Sequence, residues 1–498
     1  MAGVNFCSDG EAAIHRHLDV GPESIKEADN IRVQCETDRC VSWITENAFK
    51  KVALQFADNA LRNSTFVALT LKHSADAEVF ILGDTSYGSC CVDEVAAQHG
   101  SADAIIHFGH SCLSATRRLP VLYIFGRHNV DAPHCSQQLQ SVLSGSTSNI
   151  ILLYDVIYYH ATDELKMLLC ETFPNMIVST LNIPDSLQHN IGGSVAGSAE
   201  DTTSTGHSSR KTLSKCGRTI DLPEQMRLDD YVMCYIGAET ATLTNMLMTF
   251  NKCQFYTYDP HTRVARHETA NVNRMLMRRY YLIEKAKDAR IIGILVGTLG
   301  VVDYLAVIQR MKELIHAAGK KSYMFVVGKL NVAKLANFME IDVFVHIACA
   351  ENTLVDSSEF YKPVITPYEL EVACNSAQEW TGECVTDFRE LLPGGSAHVD
   401  LAADTSESRT DVSLITGGIR RLGRADSDTE ECPASQAVIK RDDKLFAVSS
   451  VGATSGAEFL SNRSFQGLDP RLGQTPVEKA VEGTTGIASG YSSEPTLK

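Results

Sequence analysis

Residues 79–108 read VFILGDTSYGSCCVDEVAAQHGSADAIIHF. An apolar run from Val79 to Leu82 breaks at Gly83 into a polar turn, a helical stretch follows, and a second apolar run spans Ala104 to Phe108. Short runs rich in Val, Ile and Leu, closed by Gly or Asp, read as strands covered on both faces, as in a parallel sheet. The same pattern recurs at Val52 to Phe56, Val121 to Phe125 and Ile150 to Tyr154. It predicts an α/β domain over residues 46–185, preceded by a polar leader over 1–45.

Two further blocks repeat the alternation. Tyr231 to Ile236, a helix over Thr240 to Phe250, Cys253 to Tyr258 and a long helix over Asn271 to Asp288 predict a smaller second domain, residues 226–288. Arg290 to Val296, a helix over Asp303 to Ala318, Tyr323 to Val327, Val343 to Ala348 and Val364 to Thr366 predict a third, residues 289–388. The expected fold is α/β, with three tandem related domains, each a small parallel sheet flanked by helices. Two segments rich in Ser, Gly and Thr, 186–225 and 389–498, bury too little apolar area to offset their ordering entropy. Both are expected to be mostly disordered.

The formal net charge is −16, with 61 acidic against 45 basic residues. That balance excludes a non-specific nucleic-acid binder, which needs concentrated Lys and Arg to release phosphate counterions. Met1 to Gly10 does not read as a secretory signal, and no apolar run approaches the roughly 18 residues a membrane helix requires. A soluble, cytoplasmic protein is expected. Its 15 cysteines are then thiols or metal ligands rather than a disulfide framework.

In open parallel sheets, ligands gather beyond the carboxyl ends of the strands. Cys90 and Cys91 follow one predicted strand, Cys112 follows another through Gly109, His110 and Ser111, and Cys349 follows Val343 to Ala348 directly. Buried free cysteines more often pack than ligate, and no CxxC pair or ferredoxin-type run is present. Other candidates are the turn Gly297 to Gly300, either an anion cradle or a plain tight turn; His107 and His110, more commonly local hydrogen-bond partners; and Asp84, Asp93 and Glu94, more commonly caps.

The loops that carry these cysteines resemble a known family. FILGDTSYGSCCVDEVAAQHG (Phe80 to Gly100) and HFGHSCLS (His107 to Ser114) are similar to the signature of the diphthamide synthesis family. VGTLGVVDYLAVI from Val296, VGKLNVAKLANF from Val327, DVFVHIACAENTLVDSSEFYKPVITPYELE from Asp342 and RSFQGL from Arg463 resemble its second eukaryotic subunit more than its first. The resemblance covers about residues 45–385.

It implies three similar domains around a central [4Fe-4S] cluster. It also implies a heterodimer whose catalytic first subunit adds 3-amino-3-carboxypropyl, from S-adenosylmethionine, to a histidine of translation elongation factor 2. The second subunit is expected to assist reduction of the catalytic cluster, itself drawing on an electron-donor protein. Catalytic members carry a cysteine from each domain, the middle one in a Gly-Cys-Thr type loop. Here that loop reads Ile236, Gly237, Ala238, Glu239, and the nearby Cys234 lies inside a strand. The expected ligands are Cys90, Cys112 and Cys349, with Cys91 as runner-up to Cys90. The alternatives are a cluster-free structural partner and an autonomous homodimeric enzyme.

Overall fold

The computed structural model describes residues 28–57, 60–83, 88–143, 149–183, 210–223, 225–401, 409–422, 486–487 and 490–491. Two compact units divide the chain, Met1–Asp426 and Ser427–Lys498. In the second, Gly486–Ile487 pairs antiparallel with Gly490–Tyr491. The first unit carries three main sheets.

Sheet one contains β1 (Lys51–Phe56), β2 (Glu78–Ile81), β3 (Ala104–Phe108) and β4 (Val121–Ile124), in the order β2-β1-β3-β4 and all parallel. Sheet two is built on β5 (Ile150–Tyr154) and β6 (Ile177–Val178). After an excursion through β7 (Thr180–Leu181), β8 (Arg210–Lys215) and β9 (Arg218–Pro223), it is completed by β10 (Val232–Ile236), β11 (Phe255–Asp259) and the antiparallel edge strand β12 (Val264–His267). Sheet three contains β13 (Ile291–Val296), β14 (Lys321–Val326), β15 (Val343–Ile347) and β16 (Val364–Ile365), in the order β14-β13-β15-β16.

One topology therefore occurs three times: the first strand of each sheet lies between the second and third, and the fourth lies beyond the third. The central strands are mostly apolar because helices cover both faces; β3, β5, β10, β13 and β15 are buried at every position, His107 in β3 and His346 in β15 included. The three-domain α/β reading is what the chain adopts.

The boundaries differ from expectation. Ile150–Tyr154 pairs with Val232–Ile236, so it opens the second domain rather than closing the first. Periodicity identifies a buried strand and says nothing about a parallel partner some 80 positions away. Arg210–Pro223, expected to be disordered, is an antiparallel hairpin that turns at Cys216 and Gly217, both with left-handed φ. Its inward residues Ile220 and Leu222 are buried beside Met233 and Tyr235. The expected leader holds helices Ala28–Gln34 and Thr37–Glu46, the latter burying Cys40, Trp43 and Ile44. The expected tail opens with a short helical turn at Phe388–Leu391, and Arg409–Val412 pairs with Ile419–Leu422. Within the two Ser-rich segments, residues 186–209, 224, 402–408, 423–485, 488–489 and 492–498 lie outside the described residues, as do 1–27.

The third domain is closed by a buried ion pair. Arg279, on helix Thr269–Asp288, makes a two-pronged contact with Glu369, its Nη2 lying 2.6 Å from Oε2. Glu369 also accepts the Thr366 backbone N–H, completing a capping box at the start of helix Pro367–Cys374.

Candidate metal centre

The carboxyl ends of the strands in sheets one and three converge, and four thiols meet there. The sulfurs of Cys90, Cys91, Cys112 and Cys349 all lie within 4.8 Å of one another, and all four residues are buried. Sγ–Sγ separations are 3.9 Å for Cys90–Cys91, 3.8 Å for Cys90–Cys349 and 3.7 Å for Cys91–Cys112. Cys91 was expected only as runner-up to Cys90. Instead the loop turns tightly, with the Cys91 N–H donating to the Gly88 carbonyl, and both sulfurs enter.

Buried polar side chains hold that loop. Gln55 projects from β1, donates to the Cys91 carbonyl at 2.7 Å and accepts the Asp93 N–H at 2.9 Å. It is the polar member of the otherwise apolar run Val52 to Phe56, and this duty explains it. His107, opposite Gln55 in the β1/β3 register, contacts the Ser89 carbonyl through Nε2 at 3.2 Å. Burial pushes its pKa down to about 4, so the ring is neutral. Asn352 donates from Nδ2 to the Cys90 sulfur at 3.3 Å. A Cβ at position 88 would sit 2.1 Å from that nitrogen, so the approach requires Gly88.

Cys112 is the thiol most easily ionised. Hydrogen bonding from Cys349, then from Cys90 and Cys91, pulls its pKa well below the usual thiol value, and Ser114 Oγ lies 3.3 Å from its sulfur. The other three are pushed up, chiefly because they donate to Cys112. Four convergent thiols that stabilise a thiolate are a donor set suited to a thiophilic metal or an iron-sulfur cluster.

The second sheet supplies no cysteine to this group among the described residues. Cys234 is 1% exposed and packs in the core with Cys135 and Leu152. Desolvation pushes its thiol up to about 12. Sheet two contributes polar groups instead. His110 meets the Asp155 carboxylate through Nδ1 at 3.1 Å and the Glu351 carboxylate through Nε2 at 2.8 Å. Thr242, on helix Ala241–Thr249, donates to Glu351 at 3.0 Å. Burial alone would lower the His110 pKa, but Glu351 and Asp155 override it and raise the value to about 11, so both ring nitrogens donate. The sequence reading gave His110 a local partner; its partners come from the other two sheets.

The lesser candidates resolve as structural. Asp93 caps helix Glu94–His99 through the Ala96 N–H, and Glu94 is buried and receives the N–H groups of Arg118 and Leu119. Asp84 lies outside the described residues. In the Gly297 to Gly300 turn, a Cβ on Gly300 would meet the Val92 carbonyl at 2.7 Å. That glycine lets sheet three close onto the cysteine loop, so close packing accounts for the turn without an anion.

Comparison with known proteins gives the family of the chain. Residues 56–385 match the family described as "Putative diphthamide synthesis protein". The 2-(3-amino-3-carboxypropyl)histidine synthase subunit 2 of Danio rerio is 47% identical over 494 residues, covering 98% of this chain and 97% of its own. Its counterparts in Schizosaccharomyces pombe and Homo sapiens are 39% and 36% identical, covering 99% and 98% of this chain and 96% and 99% of their own. The crystal structure of Dph2 from Pyrococcus horikoshii with a 4Fe-4S cluster shares the fold, with a TM-score of 0.52 at 20% identity over 70% of this chain and 94% of that one. No helix among the described residues is long and apolar enough to cross a membrane. A family match over the region that bears the four centre cysteines and relatives aligned nearly end to end place the chain in the diphthamide synthesis family, beside the proteins named subunit 2 of the synthase.

Proposed function

We propose that this chain is the accessory subunit of a heterodimer that transfers 3-amino-3-carboxypropyl from S-adenosylmethionine to a histidine of translation elongation factor 2. In this reading it holds a [4Fe-4S] cluster through Cys90, Cys112 and Cys349, with Cys91 as the fourth thiolate. The observation that carries the proposal is the four-thiol centre itself. Four cysteines are the complete protein ligand set of a cubane, and when bound such a cluster supplies one-electron transfer. With every iron held by protein, no coordination position is left for a substrate. The chain's residues then do three things: they bury the centre, direct the Asn352 N–H at one sulfur, and fix the loops. An electron-donor protein on one side and the catalytic subunit's cluster on the other are the partners this role requires.

The sulfur spacing favours a second reading. Three of the six sulfur separations, 3.7 to 3.9 Å, match the edge of about 3.8 Å expected for four thiolates around one tetrahedral ion with metal–sulfur bonds near 2.3 Å, and the other three lie within 4.8 Å. A cluster-free structural partner with a single zinc ion would use the same residues.

The test combines the purified full-length chain with the catalytic subunit, elongation factor, S-adenosylmethionine and a limiting protein reductant. The proposal expects no transfer from this chain alone, and transfer in the complex that falls at least tenfold with Cys112→Ala. Transfer by this chain alone would overturn the accessory role. Full activity with Cys112→Ala would overturn the electron-transfer role.

A further inference from the structure

We infer that Asp155, Thr242, His110 and Glu351 form a clamp that positions the thiolate centre, taking over from a cysteine the part the second domain plays in holding the site. The inference rests on the reading above that the four thiols bind metal, and it adds residues outside that ligand set.

Chain position makes the clamp effective. His110 precedes Cys112 by two residues, and Glu351 follows Cys349 by two. The 2.8 Å contact between His110 Nε2 and Glu351 therefore ties together the loops of sheets one and three that deliver those sulfurs. Asp155 directly follows β5, and its backbone N–H is held by the Ile236 carbonyl at the end of β10. Its carboxylate is thus fixed to the two central strands of sheet two and receives His110 Nδ1. Thr242, also from the second domain, donates to Glu351 at 3.0 Å and lies 3.3 Å from His110 Nε2.

Each anchor is buried: Asp155 is 4% exposed, Thr242 3% and Glu351 8%. An imidazole held by a carboxylate at each nitrogen has neither free rotation nor a free tautomer. Two ligand loops carried on separate sheets are thereby referred to a third, which donates no sulfur. Outer partners of this kind orient ligands, and their loss typically weakens metal binding by about 10- to 100-fold.

The experiment uses the full chain in two parallel assays. One is titration with Co2+, whose thiolate charge-transfer and ligand-field bands report a tetrahedral four-sulfur site. The other is anaerobic reconstitution with iron and sulfide, read by electron paramagnetic resonance. The variants are Asp155→Asn, Glu351→Gln, Thr242→Val and Thr242→Ser, each checked for native circular dichroism. The clamp predicts that the first three lose about tenfold or more in Co2+ affinity and show altered ligand-field bands. Thr242→Ser, which keeps the hydroxyl, restores both. Wild-type affinity and spectrum in Asp155→Asn, Glu351→Gln and Thr242→Val would overturn the clamp. If wild type takes up no cluster and the variants still lose Co2+ affinity, the cluster reading fails while the clamp stands. If every variant forms a cluster with the wild-type resonance and binds Co2+ as wild type does, the clamp fails while the cluster reading stands.

Discussion

The side-chain amide of Asn352 donates to the sulfur of Cys90 at 3.3 Å, a contact spanning 262 positions of sequence. It joins the loop after β15 to the loop after β2, and no sequence pattern marks it. Hydrogen bonds to sulfur stabilise the more negatively charged, reduced form of an iron-sulfur cluster. Asn352→Ala is therefore expected to lower the reduction potential while leaving the iron content intact. Gly88→Ala, whose methyl would displace Asn352, should shift it the same way. Redox titration followed by electron paramagnetic resonance checks both, and an unchanged potential in the two variants would remove this hydrogen bond from the account.

Gln55 serves two backbone groups of the cysteine loop from a site with no solvent exposure. Gln55→Leu keeps the approximate volume but strands a buried carbonyl and a buried N–H. At about 1–3 kcal/mol for each of the two unsatisfied groups, urea denaturation should show a loss of roughly 2–6 kcal/mol.

The Arg279–Glu369 pair is almost wholly buried. Arg279→Met leaves the Glu369 carboxylate without its counter-ion, and removing one partner of such a pair costs about 3–5 kcal/mol. Arg279→Met with Glu369→Gln should recover part of that loss, measured by the same unfolding assay.

Cys234 is the cysteine nearest in sequence to the Gly237–Glu239 loop, where the family resemblance would place a middle ligand, yet it packs in the core of sheet two. Cys234→Ala should leave metal content unchanged. With its thiol pushed up to about 12, Cys234 in the native chain should resist alkylation at pH 8, since the thiolate is the nucleophile. Rapid labelling of the folded protein at Cys234 would contradict its placement.

The fold was legible where the chemistry is local. Val52 to Phe56, Ala104 to Phe108 and Val343 to Ile347 announce buried parallel strands because both of their faces are covered. What escaped was pairing at a distance. Ile150–Tyr154 looks the same whether it closes one sheet or opens the next. The hairpin Arg210–Pro223 did leave a signal: Ile220 and Leu222 alternate with polar residues, and Cys216 with Gly217 marks a turn, but the surrounding Ser and Gly masked it. All four centre cysteines were marked by their places after strands, with Cys91 only as an alternative to Cys90. The equal approach of Cys91 depended on a turn closed by Gly88, and the link from Asp155 through His110 to Glu351 unites three sheets that composition cannot bring together.

The most direct test of the central claim is to reconstitute the full-length chain anaerobically with iron and sulfide in the presence of equimolar zinc. Bound iron, sulfide and zinc are then quantified for wild type and for the Cys90→Ala, Cys91→Ala, Cys112→Ala and Cys349→Ala variants. The account predicts about four irons and four sulfides per wild-type chain, a reduced-state resonance, and loss or marked lability of the cluster in each variant. One zinc per chain with no sulfide, lost in the same variants, would contradict the electron-transfer role and leave a structural partner built around a single ion.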